Sequence, residues 1–306
     1  MDTKKKQRHA LHAFLSAFRV TNGKRFTLTD YPCALSDKKR EAAHMRAQHT
    51  FETGIEKIVA LQDRLYAEQK TGLLIVLQAM DAAGKDGTIK HVMGAINPQG
   101  CRVTSFKTPT SEEHAHDFLW RCIPSLPPRG MISIFNRSYY EEVLAVKVHP
   151  EWLESEGFMR AACTEKFWKH RYASITHFEE HLTHNHTAII KIFLHLSYEE
   201  QRKRLLARLD EPAKNWKFSE ADLRERQNWN AYQQAYEQAI RKTATEQAPW
   251  YVVPADHKDF ARFAVMCILY EKLLEINPHY PQADPAFQQN IAHFREQLTN
   301  DTSTIT

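Results

Sequence analysis

No apolar run in this chain approaches the length of a membrane span. The longest, "FAVMCILY" from Phe263 to Tyr270, falls well short of the roughly 20 residues a spanning helix needs. Cysteine is sparse and scattered: Cys33, Cys101, Cys122, Cys163 and Cys267 are odd in number and form no C-x-x-C pair. That argues against a disulfide framework or a structural zinc site, and for a reducing compartment. A dominant charge of one sign is missing too. Lys and Arg total 41 against 37 for Asp and Glu, a net +4, which admits a polyanionic partner without demanding one. After the basic start "MDTKKKQRHA" no apolar core and small-residue cleavage site follow, so no signal peptide is read and a cytoplasmic protein is expected. With no repeat, low-complexity tract or flexible linker, one domain over residues 1–306 is the expected organisation.

What is present is enough apolar material for a sizeable core, 42% of 306 residues, in an alternating pattern. Residues 1–35 show no clear period and are read as a surface arm. A helical pattern runs from Ser36 to about Gln69, with Phe51, Ile55, Ile58, Val59, Gln62, Leu65 and Tyr66 on one face. Arm and helix together make an N-terminal region of about 1–70. Leu73–Leu77 is a continuous apolar run, as a parallel strand covered on both faces requires. Strands at 101–106, 131–135, 188–196 and 250–255 follow. They alternate with helices after Gly84, at 111–123, from Ser138, at 161–184, from Ser197 (a capping box with Glu200) and at 258–276. Such alternation means an α/β fold with a mainly parallel sheet and helices on both faces.

The stretch "AMDAAGKDGT" (79–88) joins the first of these strands to its helix. It approaches the phosphate-cradling pattern G-x-x-x-x-G-K-[ST], with Ala79 for the first Gly and Asp86 after the Lys. A phosphate loop works through successive backbone N–H groups aimed at phosphate oxygens, backed by a helix N-terminus. Ala82, Ala83, Gly84, Gly87 and Thr88 supply the compact turn and Lys85 a mobile charge. Asp81 and Asp86 are candidate Mg²⁺ ligands, and the role of Asp86 stays open. A solvated polar turn is the competing reading.

Two further clusters fit the same chemistry. "MISIFNRSYY" (131–140) places Asn136 and Arg137 just beyond a strand's carboxyl end, where ligands bind in open α/β sheets. "QRKRLLARLDEPAKNWKFSEADL" (201–223) is an Arg-rich helix–break–helix, within a segment of about 200–230 shaped like a phosphate-closing lid. Arg204 and Arg208 share a helix face there, while Lys214 and Lys217 follow the break at Pro212.

Taken together, "DAAGKDGT" (81–88), "FNRSYY" (135–140) and "RLLARLDEPAKNWKFS" (204–219) resemble the type 2 polyphosphate kinases. Members carry D-x-A-G-K-x-G-[ST], F-[DN]-R-S-x-Y and R-x-x-x-R-x-x-(D/E)-P-x-K-x-W-K in this order, and the likeness runs from about residue 70 to 255. The resemblance implies a three-layer αβα P-loop kinase fold with a helical lid. It implies reversible phosphoryl transfer from inorganic polyphosphate to AMP or ADP, giving ADP and ATP. It also implies Mg²⁺ (or Mn²⁺) as cofactor, no nucleic-acid or membrane partner, and a homo-oligomer, dimer or tetramer. Carried over by position, Asp81 orients the acceptor phosphate or its metal, Lys85 cradles the transferring group, and Arg137, Arg204 and Arg208 stabilise its charge. Ala82 to Thr88, with Lys214 and Lys217, hold phosphate, and Asn136 and Arg137 meet the nucleotide. Asn136 stands where most members have Asp, a feature of the subgroup acting on both AMP and ADP.

Other signals in the chain are weaker. His177, His181, His184 and His186 lack an H-E-x-x-H pattern and read as surface or capping histidines. Trp216, Trp229, Tyr232 and Tyr236 read as packing residues. An ATP-dependent nucleotide kinase and a non-enzymatic polyanion-binding module are the rival functions.

Overall fold

The computed structural model describes residues 2–38, 41–42, 54–94, 96–159, 161 and 163–300. Its strands are β1 (Arg19–Val20), β2 (Gly72–Ala79), β3 (Cys101–Ser105), β4 (Ile132–Asn136), β5 (Thr187–His195) and β6 (Trp250–Pro254). They form one sheet in the order β1-β6-β5-β2-β4-β3. From β2 to β6 all pairings are parallel, and the short β1 adds antiparallel to β6. The helices are α1 (Asp2–Ser16), α2 (Gly54–Glu68), α3 (Lys85–Met93), α4 (Ser111–His114), α5 (Ala145–Val148), α6 (Glu165–His184), α7 (Tyr198–Asp210), α8 (Glu220–Gln227), α9 (Trp229–Thr243), α10 (Lys258–Ile276) and α11 (Pro285–Asn300).

Strand alternation sends side chains into two separate cores. Leu73, Ile75 and Leu77 join Ile190, Ile192 and Leu194 under α1, α2, α3 and α10. Leu74, Val76, Ile189 and Phe193 pack beneath α6 and α9. Helices therefore cover both faces of an α/β sheet, which is why β2 and β5 read as unbroken apolar runs.

Several expectations need correction. The first 35 residues are not a surface arm: α1 packs on α10, with Leu15 fully buried and Phe14 and Phe18 against Phe260. Its period is masked because the apolar positions are confined to its second half, after "DTKKKQRH". The helix expected over 111–123 shrinks to α4, closed at its start by a Thr110–Glu113 capping box, and Trp120–Ser125 forms a 3₁₀ turn containing Pro124. Ser138 caps a second 3₁₀ turn, Tyr139–Val143, before the one-turn α5. Of the helix expected over 36–69, residues 37–38 and 41–42 are helical, 39–40 and 43–53 (with Phe51) lie outside the described residues, and α2 forms the second half, burying Ile58, Gln62 and Leu65. The unanticipated α11 is exposed along its whole length, with Phe287, Ile291, Phe294 and Leu298 on one stripe. No described helix is long and apolar enough to cross a membrane.

A buried polar knot fixes the turn after β4. Lys191 of β5, wholly buried, donates to Glu179 Oε2 at 2.6 Å and to the Thr243 carbonyl at 2.7 Å. Glu179 Oε1 accepts from Tyr139 (3.0 Å) and Tyr140 (2.8 Å). Burial pulls the lysine pKa down and the glutamate pKa up, and each charge offsets the other's shift. Removing one partner leaves the other charge buried and uncompensated. Lys191→Met is therefore expected to cost about 3–5 kcal/mol in urea denaturation, with Lys191→Met/Glu179→Leu recovering much of the loss.

Candidate active site

Parallel pairing brings the carboxyl ends of five strands to one edge. Ser105 and Leu77 both lie beside Asn136, Ala79 beside Leu194, and His195 beside Pro254. A cleft of about 970 Å³ opens there, and all fourteen site residues named from the sequence line it.

The phosphate loop turns at Met80–Gly84. The Ala83 N–H bonds back to the Met80 carbonyl at 3.3 Å, and Gly84 caps α3 with φ +103°. The Thr88 N–H reaches the Gly84 carbonyl at 2.9 Å, which leaves the amides of Lys85, Asp86 and Gly87 at the open helix N-terminus. Ala82 sits at φ +62°, a strained value for a residue with a Cβ.

Lys85 Nζ lies folded on the strand end, donating to the Ala79 carbonyl at 2.8 Å. Burial, reinforced by the Arg137 charge, lowers its pKa to about 8 despite Asp81, Glu141 and Asp86. Arg137, also at positive φ (+64°), donates to Asp81 Oδ1 at 2.7 Å and to Glu141 at 3.5 Å. Its backbone extends the ladder by one bond, N–H to the Leu77 carbonyl at 3.1 Å.

Asp86, unexplained by the motif, accepts from Asn136 Nδ2 at 2.8 Å. That bond fixes the amide orientation and leaves Asn136 Oδ1 buried without a partner. This orphaned carbonyl oxygen and the carboxylates of Asp81 and Asp86, all in the lining of one cleft, are hard oxygen donors, which fits a divalent cation of the Mg²⁺ type.

Arg204 is nearly buried and fully engaged. It donates to the carbonyls of Ala82 (3.2 Å), Ala83 (2.8 Å), Ala255 (2.7 Å) and Asp256 (2.9 Å), and to Glu200 at 2.8 Å. In this structure it braces the phosphate loop, rather than offering a free cation to phosphate. The capping box read at Ser197 is only half formed: Ser197 Oγ accepts from the Glu200 N–H, but Glu200 turns to Arg204, and the Ser197 N–H goes to Asp256 at 2.8 Å. Arg208 pairs with Asp222 (2.7 Å) and the Lys217 carbonyl (3.0 Å). Gln201 ties α7 to the Asp81 carbonyl at 3.1 Å and receives Arg226 of α8 at 2.8 Å.

Sequence reasoning missed Lys107, Lys258 and Arg262, which with Lys203 of the Arg-rich segment raise the lining to ten cations against three carboxylates. Lys258 and Arg262 are one turn apart at the start of α10, and every helix that follows a parallel strand begins at this edge, which is the signal that could have found them. Trp216, read as a packing residue, is 78% exposed, whereas Tyr232 and Tyr236 are buried as expected.

Two predictions follow from this geometry. Ala82→Gly relieves a strained φ and is expected to raise stability by up to about 1 kcal/mol with activity retained, while Gly84→Ala, at φ +103°, costs about 1–3 kcal/mol; thermal melts and initial rates check both. Lys85 has a lowered pKa, so its charge is present below about 8 and lost above it. Tripolyphosphate binding in metal-free buffer should weaken as pH rises through that value, and Lys85→Arg should remove the inflection.

The sequence model of the family Polyphosphate kinase 2 (PPK2) matches residues 38–281. An ADP-polyphosphate phosphotransferase of Rhodopseudomonas palustris is 48% identical over 282 residues, covering 92% of this chain and 97% of that protein. An AMP/ADP-polyphosphate phosphotransferase of Meiothermus ruber is 46% identical over 235 residues, covering 77% and 84%. The crystal structure of polyphosphate kinase 2 from Arthrobacter aurescens superposes with a TM-score of 0.80 at 39% identity, covering 92% of this chain and 95% of that one. With the strand–loop–helix cradle and a cation-lined cleft on the same sheet edge, these matches place the chain in the polyphosphate kinase 2 family.

Proposed function

We propose that the chain is a polyphosphate-dependent nucleotide kinase, transferring a phosphoryl group reversibly from inorganic polyphosphate to AMP and ADP to give ADP and ATP. The observation that carries this reading is the charge of the cleft, ten cations against three carboxylates around a phosphate cradle. A repeating polyanion offers no bases to read, so its site is built from cations alone. The acceptor lies against Ser105, Phe106, Lys107 and Asn136, and the donor chain runs along α7 and α10 past Lys203, Lys258 and Arg262. As the bond to the leaving phosphate breaks and that to the acceptor oxygen forms, Lys85 and Arg137 hold the charge on the transferring group. Asp81, with Asp86 and Asn136 Oδ1, would hold Mg²⁺, whose contribution is neutralisation of phosphate charge. The segment 198–227 acts as the lid. We place the enzyme in the cytoplasm as a homo-oligomer, and light scattering that returned a single 35.7 kDa mass would refute the assembly.

Asn136 supports acceptance of both nucleotides. It keeps a second carboxylate away from Asp86, only 2.8 Å distant, and so spares an acceptor with an extra phosphate from added repulsion. The test uses purified protein, Mg²⁺ and AMP or ADP with polyphosphate and no ATP. Product formation is expected, with Lys85→Ala losing about 10²–10³-fold in rate while long-chain polyphosphate still binds, more weakly than to wild type, through the other lining cations. Strict dependence on ATP would favour an ATP-dependent kinase, and no turnover with any donor a binding module. Asn136→Asp should lower ADP use relative to AMP; an unchanged ratio sinks that account.

A further inference from the structure

Trp216 is the most exposed large apolar side chain among the described residues, at 78%, and the polyphosphate chain, which has no ring, gives it nothing to stack. Its position is nevertheless held. It sits in the 3₁₀ turn Pro212–Lys217 between α7 and α8, and its indole N–H donates to the Ala213 carbonyl at 3.1 Å. Lys217 Nζ stands 5.0 Å from its ring centroid, and both Lys217 and Lys214 line the cleft. The ring is not itself part of the lining; it is held between two lysines that are, by a main-chain bond rather than by packing.

The face of an indole is electron-rich and disfavours phosphate oxygens. Polyphosphate also has no ring to lay on it. A purine nucleotide satisfies both halves of this arrangement: its base stacks on the exposed face, and its phosphates reach the flanking ammonium groups. We propose that Trp216 is a stacking platform for a purine nucleoside triphosphate bound as an alternative phosphoryl donor, so that the same cleft also carries transfer from a triphosphate to AMP. An oxygen of the AMP phosphate forms the new bond to the γ-phosphorus. The bond from that phosphorus to the β–γ bridging oxygen breaks, and its electron pair leaves with the diphosphate. The products are ADP and a nucleoside diphosphate. The acceptor side of this inference rests on the proposed function.

The test supplies the full chain with Mg²⁺, AMP and GTP and no polyphosphate, with Lys85→Ala, purified identically, as the blank for contaminating kinases. Wild type should release GDP and ADP in equal amounts. Trp216→Ala should raise the KM for GTP about tenfold or more, as loss of a stacked base implies, while the polyphosphate-supported rate stays within about twofold and Trp216→Phe restores GTP use. The inference is overturned if wild type releases no more GDP than the blank, if Trp216→Ala slows both donors alike, or if it slows neither. Failure of wild type with polyphosphate alone would strike the proposed function and leave the GTP arm readable.

Discussion

One guanidinium holds the site together. Arg204 makes five bonds from a single planar group, four of them to main-chain carbonyls on two different connections. The phosphate loop and the segment after β6 are thereby locked to α7. In a trans peptide the C=O and N–H point in opposite directions. Drawing the carbonyl of Ala83 toward Arg204 consequently turns the N–H of Gly84 away from it. The strained φ of Ala82 persists because its own carbonyl is held by the same group.

A second constraint acts from beneath. The Lys191–Glu179 pair grips Tyr139 and Tyr140, which directly follow the strained Arg137 and its neighbour Ser138. The ladder bond from Arg137 to Leu77 fixes the other side of that turn. A residue at positive φ is thus pinned on both flanks, and its side chain is delivered to Asp81 without help from the surface. Rigid strands below and a braced loop beside them give the cleft its geometry before any substrate arrives.

Much of this was legible in the residues. The apolar runs at 73–77 and 188–196 located the central strands because burial on both faces leaves no polar alternation to confuse them. The loop, the Asn136–Arg137 pair and the Arg-rich segment were found through local spacing, which chemistry fixes tightly. What escaped was set by tertiary contacts. The occupation of Arg204 depends on carbonyls more than a hundred and about fifty residues away, and no local pattern announces that an arginine will face inward. The Asp86–Asn136 bond likewise spans fifty residues. Residues 1–35 were misread because α1 shows its apolar face only from Leu11 onward, too short a window for a period to emerge.

The pairing of Arg208 with Asp222, and of Arg137 with Asp81, has a thermodynamic corollary. A cation bathed in solvent releases a condensed counter-ion to the medium when a polyanion replaces it, and the affinity then falls steeply with added salt. A cation already matched to a carboxylate of its own chain exchanges one internal partner for another and releases no salt ion. Polyanion capture by this cleft is therefore partly an ion exchange inside the protein. Its dependence on ionic strength should be shallower than ten lining cations alone would dictate.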